Sequence, residues 1–465
     1  MGSRPSRPGP PCSPSLPRHR GKTGCFPVPP RSTVPGMWRN TRAGIALREV
    51  EERDHEAVEE WRRALCTGFH EPYEPPADEN QAALWRRHHC AHARPLGAWE
   101  GDRCVGTLSG IPLELTVPGG AFVPADGVVN VSVLPTHRRR GLLTRMLGHH
   151  LDQARRRGEV VALLTAAEHG IYGRFGFGLA ARWGGARVDV VRSGGLRPGV
   201  GEPEPGAGVS LITLDELAEL GPGLHERFRR TQPGAVSRTP LQWSYATGRV
   251  VLPQHSFRIP FAAVHRDARG RVTGLLTYRI DRAFSQGDPN ATLTVVDHLA
   301  ADRAAAAALW RYAMEMDWVR HLVIPNLAED DPLPLLLVNP RAFRREVPDV
   351  ADDLWLRVLD GPRAFAARSY EAPGRTVLDV RDPAGHVAGR WELRTGEDGR
   401  GALLPSSAEP ELALDAGALG SVYLGGTTVP QLAAAGLVTE LRPGAAARAG
   451  RQLRTTFAPW CPDAF

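Results

Sequence analysis

Hydrophobic and polar positions change period along this 465-residue chain, and the sharpest change falls in its first third. The run Val128-Val-Asn-Val-Ser-Val-Leu134 is rich in β-branched residues and alternates in its second half, which predicts a strand closed by Pro135. Apolar residues then recur at Leu143, Leu147, Leu151 and Ala154, one stripe of a helix. Arg155-Arg-Arg157 suits the negative end of that helix's dipole, and Gly158 offers a left-handed cap. A second strand over 160–165 follows at once. Strand, helix and strand with such short connections predict two parallel neighbours joined by a right-handed crossover. The helix's unpaired N–H groups then point toward the carboxyl end of the first strand.

Other segments are patterned less sharply. Helices are expected over 52–66 and 81–89, separated by the acidic, proline-rich loop Glu71-Pro-Tyr-Glu-Pro-Pro-Ala-Asp-Glu79, with strands over 96–99, 103–109 and 113–117. Residues 194–208 form a glycine- and proline-rich linker. Beyond it come helices over 214–220 and 304–316 and strands over 261–265, 274–280 and 291–299. From about Pro348 the pattern shifts to strands with glycine turns, 375–380 and 389–394, then helices over 416–424 and 429–434.

Between the first strand and helix lies Pro135-Thr-His-Arg-Arg-Arg-Gly-Leu-Leu143. A helix start is an anion site, and Arg138, Arg139 and Arg140 add charge suited to a diphosphate, while Gly141 admits a phosphate close to the backbone. A P-loop would need Gly-Lys-Ser/Thr and a dinucleotide fold G-x-G-x-x-G; neither occurs. The bland alternatives are a solvated basic helix start or a nucleic-acid patch. Charge distribution argues against the latter. The net charge is +6, but residues 1–36 hold six basic residues and no acid, so the rest of the chain is neutral and no nucleic-acid partner is expected.

Arg138-Arg-Arg-Gly141-Leu-Leu143 resembles the acyl-coenzyme A loop of GNAT acetyltransferases, although Leu143 departs from the small final residue. With Glu168-His-Gly-Ile-Tyr-Gly-Arg-Phe-Gly-Phe-Gly178, Asp331-Pro-Leu-Pro334, Trp355-Leu-Arg357 and the final Phe465, the chain resembles the enhanced intracellular survival (Eis) family of bacterial N-acetyltransferases from about Ile45 onward. The resemblance implies an α/β (α+β) protein with two GNAT-like domains, the second degenerate, followed by a sterol-carrier-like domain. It places a catalytic domain over 45–190, the degenerate one over 191–345 and the last over 346–465, after a disordered leader over 1–44. It implies Tyr172 as general acid and the carboxylate of Phe465 as general base. The donor acetyl-CoA would lie along Val131, Ser132 and Val133, the loop Arg138, Arg139, Arg140, Gly141, Leu142, Leu143 and Thr144, and Ala167 and Glu168. Two further departures are Ala464, where relatives often carry an acid, and Ala167, where they carry a serine. The acceptor implied is a primary amine of a cationic small molecule such as an aminoglycoside, hence antibiotic resistance, and the assembly a homo-hexamer. Protein-lysine acetylation and a non-catalytic acyl-CoA- or lipid-binding regulatory module are the alternatives.

Six scattered cysteines without paired spacing suggest reduced thiols and a cytoplasmic setting. His88-His-Cys-Ala-His92 lacks a second ligand pair, so no metal is expected. The leader, with ten prolines and no apolar run, is neither a signal peptide nor foldable, Met37 is a candidate start, and no stretch suits a membrane span.

Overall fold

Three large sheets organise the described residues of a computed structural model, 44–251, 257–346, 354–463 and 465. The leader expected over 1–44 lies outside them apart from Gly44. In the first sheet, β1 (Ile45–Glu49) leads through α1 (His55–Gly68) and α2 (Glu79–Arg86) to the antiparallel run β2 (Arg94–Glu100), β3 (Arg103–Thr116) and β4 (Phe122–Val133). The two strands expected over 103–109 and 113–117 are one. Gly110 is not a turn residue but leaves room for the carboxylate of Asp126 and the ring of His150, which fill the space a side chain would need.

α3 (Leu142–Arg157) crosses from β4 to β5 (Val161–Thr165), which pairs parallel with it. Its C-cap is Gly158 at φ 91°. After α4 (His169–Tyr172) and β6 (Gly178–Ala181), the chain leaves through β7 (Trp183–Asp189) for a second sheet. There follow α5 (Val190–Ser193), β8 (Gly208–Ile212), α6 (Leu214–Arg229), α7 (Pro240–Ala246), β9 (Phe261–Arg266) and β10 (Val272–Asp281). A small ribbon, β11 (Phe284–Ser285) and β12 (Asp288–Pro289), precedes β13 (Ala291–Ala300), α8 (Arg303–Met314), β14 (Val319–Ala328), α9 (Leu333–Leu336) and β15 (Phe343–Glu346). The second sheet has the order β15-β7-β14-β13-β10-β9-β8. α6 runs well past the end expected at 220, through Pro222, because Leu217, Leu224 and Phe228 bury one continuous stripe.

β16 (Leu354–Val358) then returns to the first sheet and slots antiparallel between β5 and β6. The boundaries expected at 190/191 and 345/346 therefore do not coincide with the sheets: β7 belongs with the second and β16 with the first. The last segment carries α10 (Gly361–Ala367), β17 (Gly374–Arg381), β18 (Gly389–Thr395), β19 (Gly401–Pro405), β20 (Leu412–Asp415), α11 (Ala416–Tyr423), α12 (Val429–Ala434), β21 (Val438–Glu440) and α13 (Ala445–Leu453). Its five strands order as β19-β18-β17-β20-β21. Aromatic side chains fill the interior: Phe365, Tyr370 and Tyr423 are buried, and the two phenols donate to the carbonyls of Phe365 and Ala364.

Alternation in β5 divides the core. Val161 and Leu163 face the C-terminal segment, whereas Ala162 and Leu164 face α1 and α3. Among the described residues no helix is long and apolar enough to cross a membrane, and Cys66, Cys90, Cys104 and Cys461 are free thiols.

Candidate active site

Pairing between β4 and β5 stops at Gly127, opposite Leu163. Beyond it β4 bends, for a local reason. Asn130 adopts φ 57°, and the register with β3 slips between Thr107 and Ser109, so β4 carries one extra residue, a bulge. Thr107 Oγ1 donates to the displaced Asn130 carbonyl at 2.8 Å and shares a hydrogen bond with Ser132 Oγ at 2.8 Å. Val131, Ser132 and Val133 thus stand on a strand whose β5-side edge is unpaired among the described residues.

The strand runs into a short 3-10 turn at Pro135–His137 and then the arginine loop. Gly141 is the N-cap of α3 at φ 75°, and no side chain caps the helix, so its first N–H groups remain available. A side chain at Gly141 would meet nothing within 4 Å; the glycine is required by its backbone angle and not by crowding. Arg138, Arg139 and Arg140 are exposed, and none pairs with an acid among the described residues. Arg138 Nε donates to Val133 O at 3.4 Å and Arg140 Nη2 to Thr136 O at 3.1 Å, which hold the loop against the end of β4. Leu142 is buried in the core, so only its backbone can serve a ligand, while Leu143 and Thr144 are half-buried. Ala167 and Glu168 lie exposed between β5 and α4.

Tyr172 ends α4. It is half-buried and packs on the same core cluster as Val131, Val133 and Leu143, meeting Phe177 edge-on at 6.2 Å between ring centroids. Burial, and secondarily the Glu168 carboxylate, push its phenol above the usual pKa of about 10. Behind its turn lies Arg357 of β16, which sequence reasoning gave no role. Its guanidinium occupies the space that a side chain at Gly176 would need. Arg357 is fully buried, and its Nη2 donates to both oxygens of Asp382 at 2.9 Å. Burial alone would raise the Asp382 carboxyl, but Arg357 and the N–H groups of Val387 and Ala384 hold it below its ordinary value. His386 Nε2 lies 2.9 Å from Asp152 Oδ1, so this buried group also reaches α3.

In the tail, Phe457 is 54% exposed, whereas Trp460, Cys461 and Asp463 are buried. Trp460 N donates to Pro233 O at 2.8 Å. Phe465 is half-buried on the cluster that faces the C-terminal segment, and its ring lies over Gly127, where β4 and β5 part. Ala464 lies outside the described residues. Asp463 is buried against His225, Arg238 and the Val236 N–H. These partners are more than 220 residues away in sequence and were invisible to any local pattern.

His88 and His89 have structural surroundings. α2 continues as a π turn, Arg87–Ala91; His88 hydrogen-bonds Tyr245 of α7, and His89 is buried against the rings of Trp61 and Trp85. The acids of the nearby loop are partly committed: Asp78 caps α2 and Glu79 pairs with Arg86.

Family models described as acetyltransferase (GNAT) domains match residues 48–180 and again 234–358, and a sterol carrier protein domain matches 362–462. An uncharacterized N-acetyltransferase of Streptomyces avermitilis is 44% identical over 407 residues, 87% of this chain and 96% of its own. N-acetyltransferase Eis of Mycobacterium tuberculosis is 36% identical over 345 residues, 73% of this chain and 80% of that protein. The chain belongs to the Eis family of N-acetyltransferases. The crystal structure of Eis1 from Mycobacterium abscessus matches with a TM-score of 0.75 at 29% identity, covering 90% of this chain and all of that one. An Eis-family fold implies acetyl-CoA as donor, and the cradle fits it. An uncapped helix start, a left-handed glycine and three arginines without an acidic partner among the described residues, beside a strand edge unpaired among them, are what a diphosphate joined to an extended amide-bearing arm requires.

Proposed function

We propose that this Eis-family enzyme acetylates primary amines of a cationic small molecule of the aminoglycoside type, with Tyr172 as general acid and the Phe465 carboxylate as general base. Acetyl-CoA supplies an activated acetyl thioester. The arginine loop and the α3 N-terminus hold its phosphates, and the free edge of β4 at Val131–Val133 orients its arm. One observation carries the assignment of roles: Tyr172 packs on the α3 face of the first sheet and Phe465 on the opposite face, on either side of the point where β4 and β5 part. Acyl transfer needs that arrangement, with a proton delivered to the departing sulfur on one side and one taken from the attacking nitrogen on the other.

Tyr172 suits the first task because its raised pKa keeps the hydroxyl protonated at neutral pH. An α-carboxylate, with an ordinary pKa of about 3.5, is too weak to strip a solvated ammonium. Its work is to take the proton through a water, or to hold the cationic amine until its proton is lost. The packed aromatic interior of the third domain supports a structural role for it. The homo-hexameric assembly rests on family resemblance alone.

A thiol-release assay with purified enzyme and a panel of aminoglycosides, polyamines and lysine peptides tests the proposal. Free coenzyme is expected with the aminoglycosides. Release with lysine peptides alone would move the acceptor class to proteins. Acetyl-CoA binding without release from any amine would make the chain a binding module.

A further inference from the structure

The second sheet repeats the first: β13 and β14 pair parallel only as far as Thr294 and Val323, and β13 bulges where the β10 register slips between Thr277 and Tyr278. Its parting, however, is filled. Trp460 and Pro462 enter between Val295–His298 on one side and Pro325–Asn326 on the other, leaving a space of only about 50 Å³. Asn326 grips the tail twice, accepting from the Trp460 indole N–H and donating its amide to Cys461 O at 3.1 Å. Asp463 is then locked. Its Oδ1 accepts from Arg238 Nε at 2.7 Å and lies 3.0 Å from His225 Nε2, while its Oδ2 accepts from Val236 N at 3.0 Å. Arg238 in turn clasps Asp297 of β13 with both terminal nitrogens, at 2.5 and 3.2 Å.

We propose that the parted strands of the second domain have become a socket for the segment Trp460–Asp463, and that Arg238, Asp463 and Asn326 are positioning residues that aim Phe465 at the first domain's site. This rests on the terminal-base role proposed above. Two residues span at most about 7 Å, so fixing Asp463 confines Phe465 to a small volume. The Phe465 ring seated on Gly127 marks where that volume lies. Packing between domains would be served as well by apolar residues. A fully buried carboxylate held by a guanidinium that is itself anchored to the bulged strand instead fixes one register of the tail. Burial would raise the Asp463 carboxyl, yet Arg238 and His225 hold it below its ordinary value, so the clamp is charged at neutral pH.

The test compares Asp463→Asn and the milder Asn326→Ala with the parent, each checked by circular dichroism to be folded. Three quantities are read: kcat, acetyl-CoA affinity, and release of Phe465 by a carboxypeptidase that prefers aromatic ends. The expected result is release at least tenfold faster, kcat at least tenfold lower and acetyl-CoA affinity within twofold of the parent. Unchanged protection of Phe465 in folded Asn326→Ala overturns the socket. Faster release accompanied by loss of acetyl-CoA binding also overturns it, since the tail would then be supporting the cradle. Faster release with unchanged kcat upholds the socket and overturns the terminal-base role instead.

Discussion

The two parted sheets are built alike and differ at four places, each chemical. At the helix that follows the central strand, α3 starts at Gly141 with no side-chain cap, whereas α8 starts at Asp302, whose carboxylate accepts from Ala305 N at 2.8 Å. One helix start is left open to an outside anion; the other carries its own. Before those helices stand three arginines in the first case and Ala300-Ala301-Asp302 in the second. The four-residue helix after the parallel partner ends in Tyr172 in one and in Leu336 in the other. Finally, the second gap is filled by Trp460, while the first keeps a strand edge that is unpaired among the described residues. The shared bulge and parting are therefore scaffold, and the proposed binding and chemistry of the first sheet rest on what differs: an open helix start, a charge cluster and a phenol.

Removing the phenol should have the largest effect. Tyr172→Phe, which makes this position resemble Leu336, is predicted to lower kcat by about two to four powers of ten and leave acetyl-CoA affinity nearly unchanged. An equal kcat would remove the tyrosine from the mechanism. Because the phenol titrates above its usual value of about 10, the parent's kcat should show no fall from loss of this acid below about pH 10. A descending limb near pH 8 that vanished in the variant would contradict that. The arginine loop comes next. Hydrogen bonds to charged groups contribute about 1.5–3 kcal/mol each, so Arg139→Glu should weaken acetyl-CoA binding by roughly tenfold to a hundredfold, measured by calorimetry, with kcat at saturation little changed.

Much of the first of these regions was legible because its signals are local. The β-branched strand, the stripe Leu143, Leu147, Leu151 and Ala154, and the cap at Gly158 lie within one supersecondary unit, and its pattern names each element. What was illegible is non-local. Nothing in Leu354-Trp-Leu-Arg-Val358 announces that it will slot between two strands almost two hundred residues upstream, or that Arg357 will back the turn of Tyr172. The break expected between 109 and 113 is absent for a related reason: the space beside Gly110 is filled by Asp126 and by His150, a residue forty positions on. The seat of the tail is non-local as well, since it depends on Arg238, Asp297 and Asn326, which no spacing connects to Asp463.

A third, smaller effect concerns the parting of the first region, where the tail's last ring rests. Gly127 is the last residue of β4 paired with β5, and a methyl group there would sit 2.7 Å from Leu113 Cδ1 and 3.0 Å from Phe465 Cδ2. Both are closer than ordinary contact, and overpacking of this kind costs about 1–3 kcal/mol. The half-buried Phe465 ring should give way before the core leucine does. Gly127→Ala is therefore expected to lower kcat about tenfold while acetyl-CoA affinity stays within twofold. A parent-like kcat would mean that the ring can shift without consequence for catalysis.

The smallest effect separates two explanations of why the second region differs. If the Asp302 cap alone kept anions from α8, Asp302→Ala would free the first N–H groups of that helix and create a second coenzyme site. If plugging and the missing arginines decide, it would not. The arginine-free approach through Ala300 and Ala301, together with Trp460 in the gap, argues for the second outcome. The variant should lose about 1 kcal/mol of stability, the usual value of an N-cap carboxylate, and its acetyl-CoA titration should keep the parent's stoichiometry. A second equivalent of bound acetyl-CoA in Asp302→Ala would show that one capping carboxylate, and not the tail, sets the two regions apart.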